Sequence, residues 1–196
     1  GFIKKEYNRE SFLELEFEKD YIRFLMPKIR SSEKGAKKRY AGLVKKDGKE
    51  NIEIVGLEAV RGDWTEAAQI FQKELLNKVF HKQEPSSFIK KFVSDLTEGK
   101  YDDKLIYRKQ IRKGLDSYVK ITPQHVFAAR LLGDKFEGNL VEYYITTNGP
   151  EPKQLLKHKL DYDHYINKQI KPIADTVLLF FNLNFEELLK GSKQTK

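Results

Sequence analysis

Lys37-Lys38-Arg39-Tyr40-Ala41-Gly42 places three adjacent cations and a phenol at the head of an apolar run that continues through Leu43 and Val44. Two residues further on, Lys46-Asp47-Gly48-Lys49 separates this run from a second, Ile52 to Val55. An Asp-Gly pair between apolar runs predicts a two-residue hairpin turn, because both central positions need a positive φ. Strand alternation then puts Lys38 and Tyr40 on one face and Arg39 on the other. An ammonium beside a hydroxyl suits a phosphate or a minor-groove acceptor on duplex nucleic acid. A solvated basic hairpin fits the same residues.

Upstream, Leu13 to Phe17 alternates apolar and acidic residues as a half-buried strand does, with Tyr21 to Phe24 as its expected partner and a loop at Ser31 to Gly35. Downstream, Asp63 and Glu66 have capping-box spacing, and Trp64, Ala67, Ala68, Phe71, Leu75 and Val79 repeat at helical intervals to about Lys82, before Pro85. Ser86 or Ser87 is placed to cap a second helix carrying Phe88, Phe92, Val93 and Leu96, with Gly99 as its stop. Pro123 opens a helix through Leu132, and Leu140 to Thr146 reads as a strand. Tyr165 to Phe181 is helical in period with a kink at Pro172, and a short helix over Phe185 to Leu189 ends at Gly191, before a frayed tail. The expected class is α+β, β-rich to residue 62 and mainly helical beyond.

The 196 residues carry a formal net charge of +8 and a pI near 9.3, with 39% hydrophobic and 34% charged residues, as in a globular domain with a heavily charged surface. From Lys28 through Lys49 there are nine Lys or Arg against two acids, and from Lys100 through Lys120 seven against three. The first 27 residues hold five basic and six acidic residues, so the positive charge sits in two patches, as a phosphate-tracking surface requires. Zero cysteines exclude a disulfide scaffold and a thiolate metal site, and agree with a reducing cytoplasm. No apolar run reaches the ~18 residues of a membrane span, and no basic-then-apolar leader is visible. The chain starts at Gly1 and its sole methionine is Met26, so a fragment or a processed chain is expected.

Lys37 to Gly42 resembles the Lys-x-Tyr motif of the family B DNA polymerases. Gly56-Leu57-Glu58-Ala59-Val60-Arg61-Gly62-Asp63-Trp64 is similar to that family's palm-to-thumb junction. Tyr107 to Ile111, Pro123 to Leu131 and Asp163 to Pro172 follow in the family's order. Arg23 to Pro27 and Thr146 to Pro152 narrow the resemblance, which covers roughly residues 11 to 190, to the bacterial polymerase II branch.

The resemblance implies a palm remnant of antiparallel strands and a hairpin over residues 1–62, a mainly α-helical thumb over 63–190 and a frayed tail over 191–196. Its implied role is to hold primer-template duplex DNA, with Lys37, Lys38, Arg39, Tyr40, Arg108, Lys109, Arg112, Lys113 and His125 as DNA-binding residues and Arg61 and Asp63 fixing the junction. The catalytic aspartates that bind Mg2+ are implied upstream of residue 1, so the piece is expected to hold neither catalytic nor metal-binding residues. It is also expected to be inactive alone, with deoxynucleoside triphosphates serving only the parent enzyme. Bacterial cytoplasm, with the nucleoid, is the implied location. Gly62 stands where a larger residue is usual, and Gly133 to Leu140 is shorter than the family's loop. The end Gly191-Ser192-Lys193-Gln194-Thr195-Lys196 lacks the apolar anchors of a clamp-docking peptide, so clamp binding through it is not supported. A free-standing, non-catalytic nucleic-acid-binding module is the rival reading.

Four histidines, His81, His125, His158 and His164, show no spacing that puts two on one helical face. The resemblance sets His125 near the duplex or at a packing seam, and an ordinary helix-start histidine also fits. Asp102-Asp103 and Asp161-x-Asp163 match none of the family's metal motifs and read as surface acids. Glu14 to Lys19 contains a Glu-x-Lys, for which sheet alternation accounts better than a nuclease site. Lys109, Arg112 and Lys113 stand at i, i+3 and i+4 and would share one face of a helical turn.

Overall fold

The computed structural model describes residues 2–8, 16–27, 35–120 and 122–190. After α1 (Phe2–Tyr7), the strands β1 (Arg23–Leu25), β2 (Tyr40–Lys46) and β3 (Lys49–Val55) form an antiparallel sheet in that order. The helices α2 (Glu66–Phe80) and α3 (Ser86–Thr97) follow. A second antiparallel sheet joins β4 (Tyr107–Gln110), β5 (Leu140–Thr146) and β6 (Gly149–Pro152), with α4 (Gln124–Leu132) packed on β5 and β6. The chain closes with α5 (Tyr162–Tyr165), a wide π turn over Ile166–Ile170, α6 (Lys171–Leu178) and α7 (Phe185–Lys190). The class is α+β.

Asp47 and Gly48 take φ of 52° and 77°, so the β2-β3 turn is the one that Asp-Gly predicts. Register then sets Ala41 opposite Ile54 and Leu43 opposite Ile52, on the face that closes over α2. One buried cluster runs from Leu25, Ala41 and Leu43 through Phe71 and Leu75 of α2 to Ile173 and Leu188, crossing position 62 without interruption. A second hairpin, β5-β6, turns at Gly149, with φ of 96°, and the Thr146 hydroxyl donates to the Gly149 carbonyl at 2.8 Å.

Six local expectations change. Neither Ser86 nor Ser87 caps α3: Pro85 stands at its N-cap, and the Ser86 amide donates to Glu84 Oε1 at 2.8 Å. Lys37 and Lys38 lie in a turn before β2, and Lys38 has φ of 58°, so strand alternation does not relate Lys38 to Tyr40. The strand β1 pairs with β2, while Glu16 and Phe17 are not in a strand and Leu13 to Leu15 lie outside the described residues, as do the tail and most of the Ser31 to Gly35 loop. Thr65, not Asp63, caps α2: its hydroxyl oxygen accepts from the Ala68 amide at 3.4 Å. Tyr107 to Gln110 is a strand followed by a loop, so the helical-face argument for Lys109, Arg112 and Lys113 fails; pairing with β5 outcompetes local helix formation. The Pro172 kink is a π turn just ahead of it, which sets the proline in the first turn of α6, where its missing amide costs little.

That wide turn aims Gln169 into the core, where its carbonyl oxygen accepts from the Thr65 hydroxyl. Thr65 therefore caps α2 and ties it to the last helices. Thr65→Ala should lower unfolding free energy by about 2–3 kcal/mol, from a lost cap and a stranded buried amide, while Thr65→Ser should recover most of it. Urea unfolding of the three proteins measures this, and an alanine variant as stable as wild type would refute the coupling.

Candidate functional site

The Lys37 to Tyr40 turn is built by the segment that follows β3. Gly56 has φ of 63°, and a Cβ there would overlap the Lys38 carbonyl oxygen, so the two backbones meet only because Gly56 has no side chain. Two residues on, one Glu58 oxygen accepts from the Arg39 guanidinium and the other from Gln72 Nε2 at 2.8 Å. Gln72, buried in α2, accepts the Ala59 amide at 2.6 Å. Arg39 is thus committed inward, with its Nε buried and unpartnered among the described residues. Lys37 and Lys38 stay exposed, and half-buried Tyr40 stacks near Phe24, ring centroids 5.3 Å apart.

The same segment carries a second group. Arg61 grips Asp63 with two parallel bonds, Nε to Oδ1 at 2.9 Å and Nη2 to Oδ2 at 2.8 Å, and Lys109 of β4 approaches Asp63 at 3.7 Å. His125, half-buried at the start of α4, is pushed below its usual pKa by burial and then by the Lys109 charge, which keeps it neutral near pH 7. The structure brings Arg61, Asp63 and Lys109 together, and His125 feels the Lys109 charge. Arg108 pairs with Glu142 at 2.7 Å across the β4-β5 ladder. Arg112 and Lys113 are exposed, with no ion pair among the described residues.

Glu58, Gln72 and Gly56 carry the geometry, yet sequence reasoning gave them no role. An acid and a glycine fixed two apart in the junction motif were the available signal. The other acids have structural work. Asp102 accepts the Tyr162 hydroxyl at 2.9 Å, Asp103 pairs with Lys104 at 2.7 Å, and Asp161 caps α5 by accepting the His164 amide at 2.9 Å. His164 Nε2 meets the Tyr107 hydroxyl at 3.0 Å, and burial lowers its pKa. His81 bridges Glu50 and the Asn77 carbonyl, and His158 contacts Glu151. Among the described residues no three His, Asp or Glu side chains come together in a group that could hold a metal ion.

Residues 2–179 match the family model described as DNA polymerase family B. The chain belongs to that family. It is 40% identical over 191 residues to DNA polymerase II of Escherichia coli (strain K12), covering 92% of this chain and 24% of that protein. DNA polymerase 2 of Aeropyrum pernix is 33% identical over 175 residues, with 82% and 21% covered. A DNA polymerase of Pyrococcus horikoshii is 32% identical over 193 residues, with 90% and 15% covered. The chain therefore spans a quarter or less of the length of these relatives. No helix among the described residues is long and apolar enough to cross a membrane.

The Arg61 bonds, then burial working against them, leave the Asp63 carboxyl below its usual pKa, with Lys109 adding to the drop. A depressed folded-state value confers stability above about pH 4, the unfolded value, that is lost as pH falls through the folded value. Asp63→Asn should therefore be less stable than wild type at pH 7, by under about 1 kcal/mol for so exposed a pair, and the gap should close as pH falls through the folded-state value of Asp63. Urea midpoints across pH measure the difference; a gap that persists at low pH would contradict the pairing.

Proposed function

We propose that this chain is the palm remnant (1–62) and thumb (63–190) of a DNA-directed DNA polymerase, and that it holds the primer-template duplex while the parent enzyme adds deoxynucleotides from their triphosphates. The observation that carries this reading is the double use of residues 56–63, which clamp the Lys38 turn at one end and join Arg61, Asp63 and Lys109 at the other, where His125 feels the Lys109 charge. Lys37, Lys38, Arg112 and Lys113 supply phosphate contacts, and Tyr40 meets the groove edge. Arg39 and Arg108 work through their carboxylate partners, holding the surface in shape. In this reading Mg2+ and the catalytic aspartates belong to the parent enzyme, which works with the bacterial nucleoid in the cytoplasm. Clamp binding through 191–196 is not supported, because that stretch lacks apolar anchors.

Phosphate contacts carry no base preference and release counterions. With four unpaired cations engaged, the log-log slope of affinity against salt should be about −4, and Lys38→Ala should bring it nearer to −3. Fluorescence anisotropy with labelled primer-template measures both, and a flat salt response would refute the reading. The chain alone should extend no primer with Mg2+ and all four triphosphates, because Asp102, Asp103, Asp161 and Asp163 are not arranged to align two metals. Template-dependent extension abolished by Asp102→Asn or Asp161→Asn would overturn that placement.

A further inference from the structure

One polar cluster lies outside both basic groups. The Tyr21 hydroxyl donates to Glu53 Oε2 at 2.9 Å, and Lys19 Nζ donates to both Glu53 oxygens at 2.7 and 3.0 Å. Register sets Glu53 opposite Gly42, and a Cβ at Gly42 would run into the Tyr21 ring. Tyr21 thus lies across β2 at a residue with no side chain, and its ring meets Tyr40 edge-on, centroids 6.1 Å apart at 79°. Phe24 packs against both rings, 5.2 Å from Tyr21 and 5.3 Å from Tyr40. The Tyr21 proton is spent on Glu53, and that bond holds the Tyr21 ring edge against Tyr40. Burial above all pushes the Tyr21 phenol above its usual pKa.

We propose that Tyr21 is a positioning residue for Tyr40: seated over Gly42 and tethered by Glu53, its ring edge braces the Tyr40 ring and aims that phenol toward the duplex, where the Tyr40 hydroxyl keeps its proton to donate. This rests on the reading of Lys38 and Tyr40 as duplex contacts. Without the bond to Glu53 the Tyr21 ring would be free to swing off Gly42, and the Tyr40 ring would lose its brace. The Lys19-Glu53 pair lies on the surface and adds little by itself; its use is to hold the carboxylate where Tyr21 needs it.

A double-mutant cycle on primer-template affinity tests this. Tyr21→Phe keeps the ring and removes the hydroxyl. It should weaken binding about 3- to 10-fold with an unchanged melting temperature, and should cost less than about 1.5-fold further in a Tyr40→Phe background. Glu53→Gln gives a second route and should show the same non-additive pattern. Wild-type affinity in both Tyr21→Phe and Glu53→Gln, or equal losses with and without the Tyr40 hydroxyl, would overturn the positioning role. If Lys38→Ala and Tyr40→Phe themselves leave affinity unchanged, the duplex-holding reading falls and this inference with it. If those two weaken binding while Tyr21→Phe does not, only the positioning role falls.

Discussion

The nearly buried carboxylate of Glu58 is the point at which strand, junction and helix are registered. One oxygen takes the Arg39 guanidinium and the other takes Gln72, which in turn fixes the Ala59 amide. A carboxylate this enclosed is stable only when its lone pairs are used, and removing either partner would strand a charge. The pairing therefore fixes where β2 begins relative to α2. Gly56, two residues earlier, lets the Lys38 carbonyl come close enough for that pairing to form.

From this point the exposed surface follows. Arg39, Arg61 and Arg108 are neutralised by Glu58, Asp63 and Glu142, while Lys37, Lys38, Arg112 and Lys113 project without ion pairs among the described residues. The count of 37 Lys and Arg thus overstates what is free to meet a polyanion. Arg39, Arg61 and Arg108, whose planar forks suit carboxylate pairing, hold the scaffold, while Lys37, Lys38, Arg112 and Lys113 are left for solvent or phosphate.

Much of the fold was legible because it rests on local chemistry. Asp47-Gly48 forced the hairpin, the Ala67 to Val79 period set α2, and Leu140 to Thr146 was a strand with the expected bounds. The failures share a cause in longer-range pairing. Lys109, Arg112 and Lys113 have helical spacing, but β5 offered a ladder. Asp63 had cap spacing, but Arg61 and Lys109 claimed its oxygens and left the cap to Thr65. Lys38 follows neither helix nor strand rules, because its left-handed conformation is set by Gly56, eighteen residues away. Motif order singled out Lys38, Tyr40, Arg61 and Asp63, while the partners Glu58, Gln72, Tyr21 and Glu53 became visible only in three dimensions.

The most direct test of the Glu58 account is the primer-template affinity of Glu58→Gln, measured beside wild type at fixed salt. The substitution removes a negative charge beside a basic surface, so simple electrostatics favours tighter binding. The account predicts the opposite: weaker binding with the fold retained, because Arg39 loses its charged partner and the Lys38 turn loses its register. Tighter or unchanged binding would contradict it.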